Sequence, residues 1–196
     1  VYEEGVLRHA CIIPVGGEYV TSDIALGVRV SVDIAEKLKT DYVDLTFCDQ
    51  SKPKDEEIVL SRIDKKETET VSKLYLSQIA QARYKEILAL GNQELKRLGR
   101  DGMLPEGAVF VGGGSKARNL IDLAKGELRL PCTIGFPEDQ EFVTGTSVSD
   151  PGFASAVGAL LLSQRAGGFG RARMSLGAGI GGLKDSAKKF FKFLLP

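Results

Sequence analysis

The stretch VFVGGGSKA, where a short apolar run gives way to a helical pattern, is the first place where this sequence could hold a ligand. Backbone N–H groups at such a turn suit phosphate or nucleoside groups, because glycine puts no side chain in the way. The stretch lacks the Walker A pattern of GxxxxGK followed by Ser or Thr. It does match G-x-G-x-x-A at Gly112, Gly114 and Ala117, and Glu138 and Asp139 follow one strand later, as in dinucleotide-binding folds. A tight structural turn without any ligand is the alternative interpretation.

Glu36 and Lys39 form a second candidate pair. They are three residues apart in a segment with helical spacing, so they share one face of a helix. If that face is exposed, the two side chains form a minor salt bridge. If it lines a cleft, the carboxylate can accept hydrogen bonds from ribose hydroxyls while the ammonium donates to them.

Other reactive side chains are few. The three cysteines, Cys11, Cys48 and Cys132, are far apart and form no CxxC pair, which argues against a disulfide framework or a zinc site and fits a reducing cytosol. The single histidine, His9, leaves little scope for histidine-based catalysis or metal binding. We therefore predict no catalytic residue and no metal site. A formal net charge of zero likewise gives no overall field to attract nucleic acid.

The elements that must position these residues follow from the apolar spacing. A strand is predicted over 6–15, after a turn at Glu4 and Gly5, because this run is rich in β-formers. Two helical segments follow, with Gly27 as the expected break between them and Ser31 or Asp33 as the cap of the second.

The longest periodic segment begins at Ser72, a candidate N-cap, and stops at Gly99. It is preceded by a short strand over 56–63. An apolar stripe along the segment predicts one long helix packed on the core. The stripe comprises Leu76, Ile79, Ala80, Tyr84, Ile87, Leu88, Gly91, Leu95 and Leu98.

The last third of the globular part alternates strand and helix. A strand, the glycine turn and a helix come first, and then a strand over 131–136 and a helix whose N-cap and first position are Asp150 and Pro151. Strands alternating with helices predict an α/β fold with some parallel pairing. The segment 31–99 carries its own strands and helices, so it is expected to be inserted between two parts of one sheet domain.

The chain ends with a glycine-rich stretch over 167–182 and then an amphipathic stretch over 183–196. The first predicts a flexible linker. On a helical wheel of the second, apolar side chains share one face and lysines the other, an arrangement typical of helices that lie in a membrane interface. A helix docked on the protein itself or in a partner's groove is the alternative. The predicted membrane-binding residues are Leu183, Ala187, Lys188, Lys189, Phe190, Phe191, Lys192 and Leu194.

Four blocks of this sequence resemble, in order and spacing, the second half of FtsA, the actin-like cell-division family of bacteria. The blocks are GVLRHACIIPVGGEYVTSDIALGV, AEKLK, QARYKEIL and VFVGGGSKARNL. The resemblance extends over nearly the whole chain. It implies the second lobe of the actin/DnaK-type ATPase fold: a sheet subdomain over 1–30 and 100–166 beside the nucleotide, and a small α/β subdomain over 31–99 inserted into it.

The resemblance also implies a site, a cofactor and partners. The loop of Gly112, Gly113, Gly114 and Ser115 would face the nucleotide, and the helical pair at 36 and 39 would contact the adenosine of ATP, which carries Mg²⁺ in the full-length family. Such proteins self-associate into actin-like filaments, bind the C-terminal tail of the tubulin-like FtsZ through the small subdomain, and reach the inner face of the cell membrane through a C-terminal helix. The expected location is thus cytoplasmic and peripheral, at the division site, with at most weak ATPase activity.

The sequence departs from the family pattern in three ways. The family's first lobe, with its hydrolysis machinery, is not part of this sequence. Asn119 stands where the family usually has glycine, and asparagine tolerates the left-handed backbone better than most residues. The last helix of the family often carries tryptophan, and this sequence has none. Three phenylalanines of the tail would take that role.

Three alternatives remain: two other families, and a purely structural adaptor that binds no nucleotide. A PilM-like pilus-assembly protein shares the actin-like fold and similar IPxGG and AExxK motifs, but it would not need the amphipathic tail or the long segment after Lys39. A dinucleotide-dependent oxidoreductase would use the G-x-G-x-x-A motif, but it needs further strand-helix units after Phe136.

Overall fold

The computed structural model describes residues 1–49, 56–137 and 149–165. Within these ranges five α-helices and three two-stranded sheets are formed. The strands are β1 Tyr2–Glu3, β2 Val6–Leu7, β3 Glu57–Val59, β4 Thr70–Ser72, β5 Ala108–Phe110 and β6 Cys132–Ile134. The helices are α1 Gly17–Val28, α2 Val32–Tyr42, α3 Lys73–Arg97, α4 Leu120–Leu128 and α5 Ala154–Arg165. Short 3-10 turns lie at Phe47–Asp49, Leu60–Arg62, Gly113–Lys116 and Pro151–Phe153.

Only part of the first predicted strand is present. β1 and β2 form an antiparallel hairpin around the predicted turn at Glu4 and Gly5, and β2 ends at Leu7. The prediction of a strand that continues to Val15 is wrong. Among the described residues, no strand lies beside 8–15 to accept its backbone hydrogen bonds, and Ile12 is 94% exposed. A β-rich sequence needs such a partner to become a strand.

The break between α1 and α2 lies two residues later than predicted. α1 continues through Gly27 and ends at Arg29, whose left-handed backbone (φ 60°) closes the helix. Gly27 serves packing instead, since a Cβ there would lie 2.5 Å from Cδ1 of Ile79 on α3. The predicted cap at Ser31 is confirmed, because its hydroxyl accepts a hydrogen bond from a backbone N–H of the first turn of α2. The alternative cap, Asp33, lies inside that turn.

The long helix α3 is confirmed at both ends. Ser72 accepts a hydrogen bond from the N–H of Tyr75 (3.0 Å), and Gly99 has φ +67°. The N–H of Arg100 bonds the carbonyl of Leu95, which completes a Schellman motif. The predicted stripe supplies the buried Leu76, Ala80, Tyr84 and Leu88.

The core lies between the first four helices and the strands that flank them. Four leucines are completely buried in it: Leu38 on α2, Leu76 on α3, and Leu45 and Leu60 between these helices. Each buried leucine of this kind stabilises the fold by roughly 1.5–3 kcal/mol gross. Val20 and Ile24 of α1 are also completely buried, so one core packs α1, α2 and α3 together and positions the site described below.

β5 and β6 are parallel, with Ala108 opposite Cys132 and Phe110 opposite Ile134, and α4 connects them. This strand-helix-strand unit confirms the predicted α/β alternation with parallel pairing. The following helix begins as predicted, since Asp150 accepts a hydrogen bond from the N–H of Gly152. A 3-10 turn forms its first residues before α5 proper.

The described residues up to Val157 form one compact unit, and Gly158 begins a second. The predicted division of the first unit at 30/31 and 99/100 stays a prediction. The predicted linker over 167–182, the amphipathic stretch over 183–196, and Glu138 and Asp139 lie outside the described residues. None of the described helices combines the length and the apolar character that crossing a membrane requires.

Candidate nucleotide site

Glu36 and Lys39 form the predicted ion pair on α2, with Nζ 2.6 Å from Oε2. The ammonium of Lys39 also donates to the hydroxyl of Thr21 (2.8 Å) and the carbonyl of Gly17 (3.3 Å), both on α1. Thr21 in turn donates to Oε2 of Glu36 (2.5 Å). The pair is therefore part of a network that ties α2 to the first turn of α1, and Lys39 is largely buried in it.

The network leaves one carboxylate oxygen of Glu36 available. Both hydrogen bonds from described residues go to Oε2, and the side chain is 51% exposed. Burial by itself would raise the pKa of Glu36, but the hydrogen bonds from Lys39 and Thr21 and the charge of Lys39 outweigh it and lower that pKa. Glu36 is thus a fixed, ionised acceptor whose Oε1 receives no hydrogen bond from the described residues.

The glycine turn after β5 has a constrained backbone. Gly112 has φ 90°, a conformation that L side chains rarely adopt, and its N–H bonds the carbonyl of Pro151 (2.8 Å). Ser115 is buried, and its hydroxyl donates to the carbonyl of Gly112 (2.8 Å). Lys116 and Asp150 form a salt bridge at 2.7 Å. Contacts with Asp150 and Pro151, which precede α5, therefore fix the glycine turn.

The glycine turn lies against the same face as the ion pair. A Cβ on Gly17 would be 3.8 Å from Cα of Gly114, so the start of α1 and the turn are in van der Waals contact. Tyr84 of α3 donates its hydroxyl hydrogen to the carbonyl of Gly114 (3.0 Å). Burial raises the pKa of Tyr84 to about 12, and the negative charge of Glu36 adds to the rise. Tyr84 is therefore a neutral donor that holds the turn in place.

Two glycine-rich segments thus meet beside one carboxylate. A Cβ at Gly16, Gly112 or Gly113 would meet no atom within 4 Å, so open space adjoins the backbone there. Together with Glu36, these glycines provide a surface that a flat, polar ligand can approach closely. The structure therefore brings together the sequence-predicted residues of α2 and of the glycine turn.

Sequence reasoning missed Thr21, Tyr84 and Gly17. Thr21 lies in mid-helix, where a threonine hydroxyl usually bonds the carbonyl four residues earlier, here 3.3 Å away. The sequence does not show that this hydroxyl instead donates to Glu36 at 2.5 Å. A polar residue on the apolar face of α1 was the available indication. Tyr84 was assigned to the apolar stripe of α3, and helical spacing gives no indication that its hydroxyl bonds the glycine turn.

Asn119 has the left-handed backbone expected of a position that is usually glycine (φ 61°). Its side-chain amide donates to Oδ1 of Asp44 (2.8 Å), which also accepts from the N–H and hydroxyl of Thr46. The asparagine therefore connects the residue after the glycine turn to the segment that follows α2. The predicted membrane-binding residues, which begin at Leu183, lie outside the described residues.

Comparison with known proteins identifies the family. The family model for the cell division protein FtsA matches residues 1–158. The FtsA of Pseudomonas aeruginosa is 30% identical over 163 residues, which cover 82% of this chain and 38% of that protein. The FtsA of Buchnera aphidicola is 32% identical over 171 residues, which cover 82% of this chain and 40% of that protein. The chain spans about two fifths of the length of these curated relatives.

Among solved structures, the crystal structure of MreB5 of Spiroplasma citri bound to ADP superimposes with a TM-score of 0.56 at 16% sequence identity. The match covers 79% of this chain and 46% of that one. At this identity the similarity establishes the fold, which is that of an actin-like ATPase lobe, as the sequence predicted. The sequence match to one family over 158 residues favours it over the PilM-like and oxidoreductase alternatives. This chain belongs to the FtsA family of cell division proteins.

Proposed function

We propose that this chain is the adenosine-binding and membrane-tethering part of an FtsA-like cell-division adaptor. The observation that carries the nucleotide part is the meeting of Gly17, the Gly112–Gly114 turn and the Glu36–Lys39 pair, which come from three distant parts of the sequence. The family match and the actin-like fold support the same assignment. The wider function is a tether that holds FtsZ at the inner face of the membrane.

Glu36 is the direct ligand in this proposal. Its Oε1 accepts a hydrogen bond from a ribose hydroxyl, and the adenosine lies along the open backbone of Gly112 and Gly113. All three ammonium hydrogens of Lys39 already have acceptors in the protein. Lys39 therefore acts as a positioning residue that fixes Glu36, rather than as the ribose donor expected from the sequence.

ATP would supply the phosphates and the closure energy in the complete protein. The open space beside three glycines fits a nucleotide, since each of those positions accepts an approaching ligand where a Cβ would stand. The described residues place no cluster of carboxylates at the glycine turn that could hold Mg²⁺. In this proposal the chain supplies the adenosine side of the site.

Saturation-transfer NMR with ADP tests the assignment on the 196-residue chain. Replacing Glu36 by Gln should weaken ADP binding by roughly tenfold, the value of one hydrogen bond to a charged group. The control is Glu86→Gln, because Glu86 also pairs three residues apart, with Arg83, at 2.6 Å and with 53% of its side chain exposed. Equal ADP affinity in the two variants would refute the site.

The tethering part of the proposal concerns the tail. Each apolar side chain that enters the interface contributes roughly 1.5–3 kcal/mol gross, and each lysine near an anionic leaflet roughly 1 kcal/mol. A single tail then binds reversibly, and filaments of FtsA protomers bind firmly through avidity. In this proposal the protein lies peripherally on the cytoplasmic face of the membrane at the division site.

Flotation on anionic vesicles tests both ends of the tether together. A labelled peptide with the sequence of the FtsZ C-terminal tail is added to the 196-residue chain or to a version that ends at Gly182. Only the longer chain should float and carry the peptide, and high salt should reduce the floated fraction. If the shortened chain floats as well, the tail is not the anchor. If the chain floats without the peptide, the FtsZ assignment is wrong.

A further inference from the structure

A mixed cluster of metal-ligating side chains lies away from the glycine turn. His9 and Cys11 belong to the segment that follows β2, and Glu94 lies near the end of α3. One ligand atom from each residue, an imidazole nitrogen, the thiol sulfur and a carboxylate oxygen, lies within 4.8 Å of the other two. Among the described residues this is the one group of at least three such side chains that could hold a metal ion.

The polar atoms of this cluster are not satisfied by one another. Nε2 of His9 is buried and has no hydrogen-bond partner. It lies 3.6 Å from Oε2 of Glu94, beyond hydrogen-bond distance. The other oxygen of Glu94, Oε1, accepts a hydrogen bond from Arg97. A buried nitrogen without a partner normally costs stability, so its presence facing a carboxylate oxygen indicates a missing partner that interacts with both.

A cation that accepts nitrogen, sulfur and oxygen ligands is such a partner. We propose that Nε2 of His9, Sγ of Cys11 and Oε2 of Glu94 bind one zinc ion. Zinc prefers this ligand set, at about 2.0–2.3 Å, which places ligand atoms about 3.3–3.8 Å apart in a tetrahedral site. The ligand atoms now lie up to 4.8 Å apart, about 1 Å more than in that geometry, and rotation of the side chains closes this difference. Because Cys11 is exposed, solvent can reach the cluster and a water molecule would supply the fourth ligand.

The local backbone favours this arrangement. His9 and Cys11 are two residues apart in the segment after β2, and their ligand atoms lie within 4.8 Å of each other. Backbone hydrogen bonds from the N–H groups of Arg8 and His9 to the carbonyl of Val1 hold that segment. Zinc would therefore add metal-ligand bonds between the segment before α1 and the C-terminal part of α3, where His9 and Glu94 now approach to 3.6 Å. Ions bound only to the folded state raise its stability.

Titration of the EDTA-treated 196-residue chain with Co²⁺ and Zn²⁺ tests the site. Co²⁺ should bind once per chain with a near-ultraviolet thiolate-to-metal absorption band, and Zn²⁺ should displace it and raise the melting temperature. Substitutions Cys11→Ser, His9→Gln and Glu94→Gln should each weaken Zn²⁺ binding by about 100-fold or more, since loss of a supporting partner alone costs 10–100-fold.

Two variants serve as controls. Cys48→Ser removes a cysteine outside the cluster, and Glu86→Gln removes a carboxylate elsewhere on α3, so both should bind Zn²⁺ like the parent chain. Circular dichroism in EDTA establishes that every variant folds. The proposal is overturned if the parent chain shows no thiolate band, if Cys11→Ser keeps the parent affinity, or if the control variants lose Zn²⁺ as the cluster variants do.

Discussion

Replacing Gly107 by Ala should be among the most destabilising small substitutions in this chain. Gly107 precedes β5 and has φ +79°. A Cβ there would lie 2.1 Å from the carbonyl oxygen of Pro131 and 2.7 Å from its carbonyl carbon. These are backbone atoms of the segment that leads into β6, and the same oxygen accepts a hydrogen bond from the N–H of Ala108 (2.8 Å). The methyl group therefore fits only if β5 moves away from β6.

The expected loss in the free energy of unfolding has three contributions. Holding an alanine in the left-handed region costs roughly 1–2 kcal/mol. Separating the strands loses the Ala108 hydrogen bond, worth roughly 0.5–1.5 kcal/mol net. The packing shift adds roughly 1–3 kcal/mol, as in other overpacked sites. We expect Gly107→Ala to lower the free energy of unfolding by about 3–6 kcal/mol, a large share of the 5–15 kcal/mol typical of a domain.

Urea unfolding, monitored by circular dichroism, should show this loss as a lower urea concentration at the unfolding midpoint. The matched control is Gly126→Ala in α4, where a Cβ would meet no atom within 4 Å and helix propensity favours alanine by roughly 0.5–1 kcal/mol. The control should therefore unfold at slightly higher urea than the parent chain. The reasoning would be refuted if the urea midpoint of Gly107→Ala equalled that of the parent chain. It would also be refuted if both variants lost the same stability, because the contact with Pro131 would then not explain the loss.

Further predictions concern Asn119 and Tyr84. Asn119→Ala should lose roughly 1–3 kcal/mol of stability in thermal unfolding, and Asn119→Gly roughly 1 kcal/mol less than that, because glycine tolerates the left-handed backbone. Burial would raise the pKa of Asp44, but hydrogen bonds from Asn119 and Thr46 outweigh it and lower that pKa in the folded chain. The ionised Asp44 therefore stabilises the fold fully above the pKa of an unfolded aspartate, about 3.9. This stabilisation is lost as the pH falls through the lower pKa of the folded chain. The urea midpoint should consequently fall more steeply with acidification in the parent chain than in Asn119→Ala, and parallel curves would contradict this. Tyr84→Phe should cost roughly 1 kcal/mol through the hydrogen bond to Gly114, and an unchanged midpoint would show that this bond is not stabilising.

Features that depend on neighbouring residues were predictable from the sequence. The cap at Ser31, the cap at Ser72 and the stop at Gly99 involve backbone groups within one turn, so residue type and position are sufficient. The shared face of the pair on α2 belongs to the same class, whereas the left-handed backbone of Asn119 was expected only from the resemblance to the family. Helical periodicity also predicted which face of α3 packs on the core.

Features that depend on distant partners were decided only by the tertiary structure. Gly27 looked like a helix break, but α1 continues through it and packs there against the side chain of Ile79, about fifty residues away in sequence. The β-rich run at 8–15 is not a strand among the described residues, because a strand exists only through its partner.

The candidate site shows the same division. The sequence supplied the acidic and basic side chains of α2 and the glycine turn, which were recognisable by residue type and spacing. The contact of Gly17 with Gly114, and the use of every hydrogen of Lys39 by acceptors on α1 and α2, come from packing four helices around one core. Residue type determines what a side chain can donate or accept, and only the folded chain determines which partner is within reach.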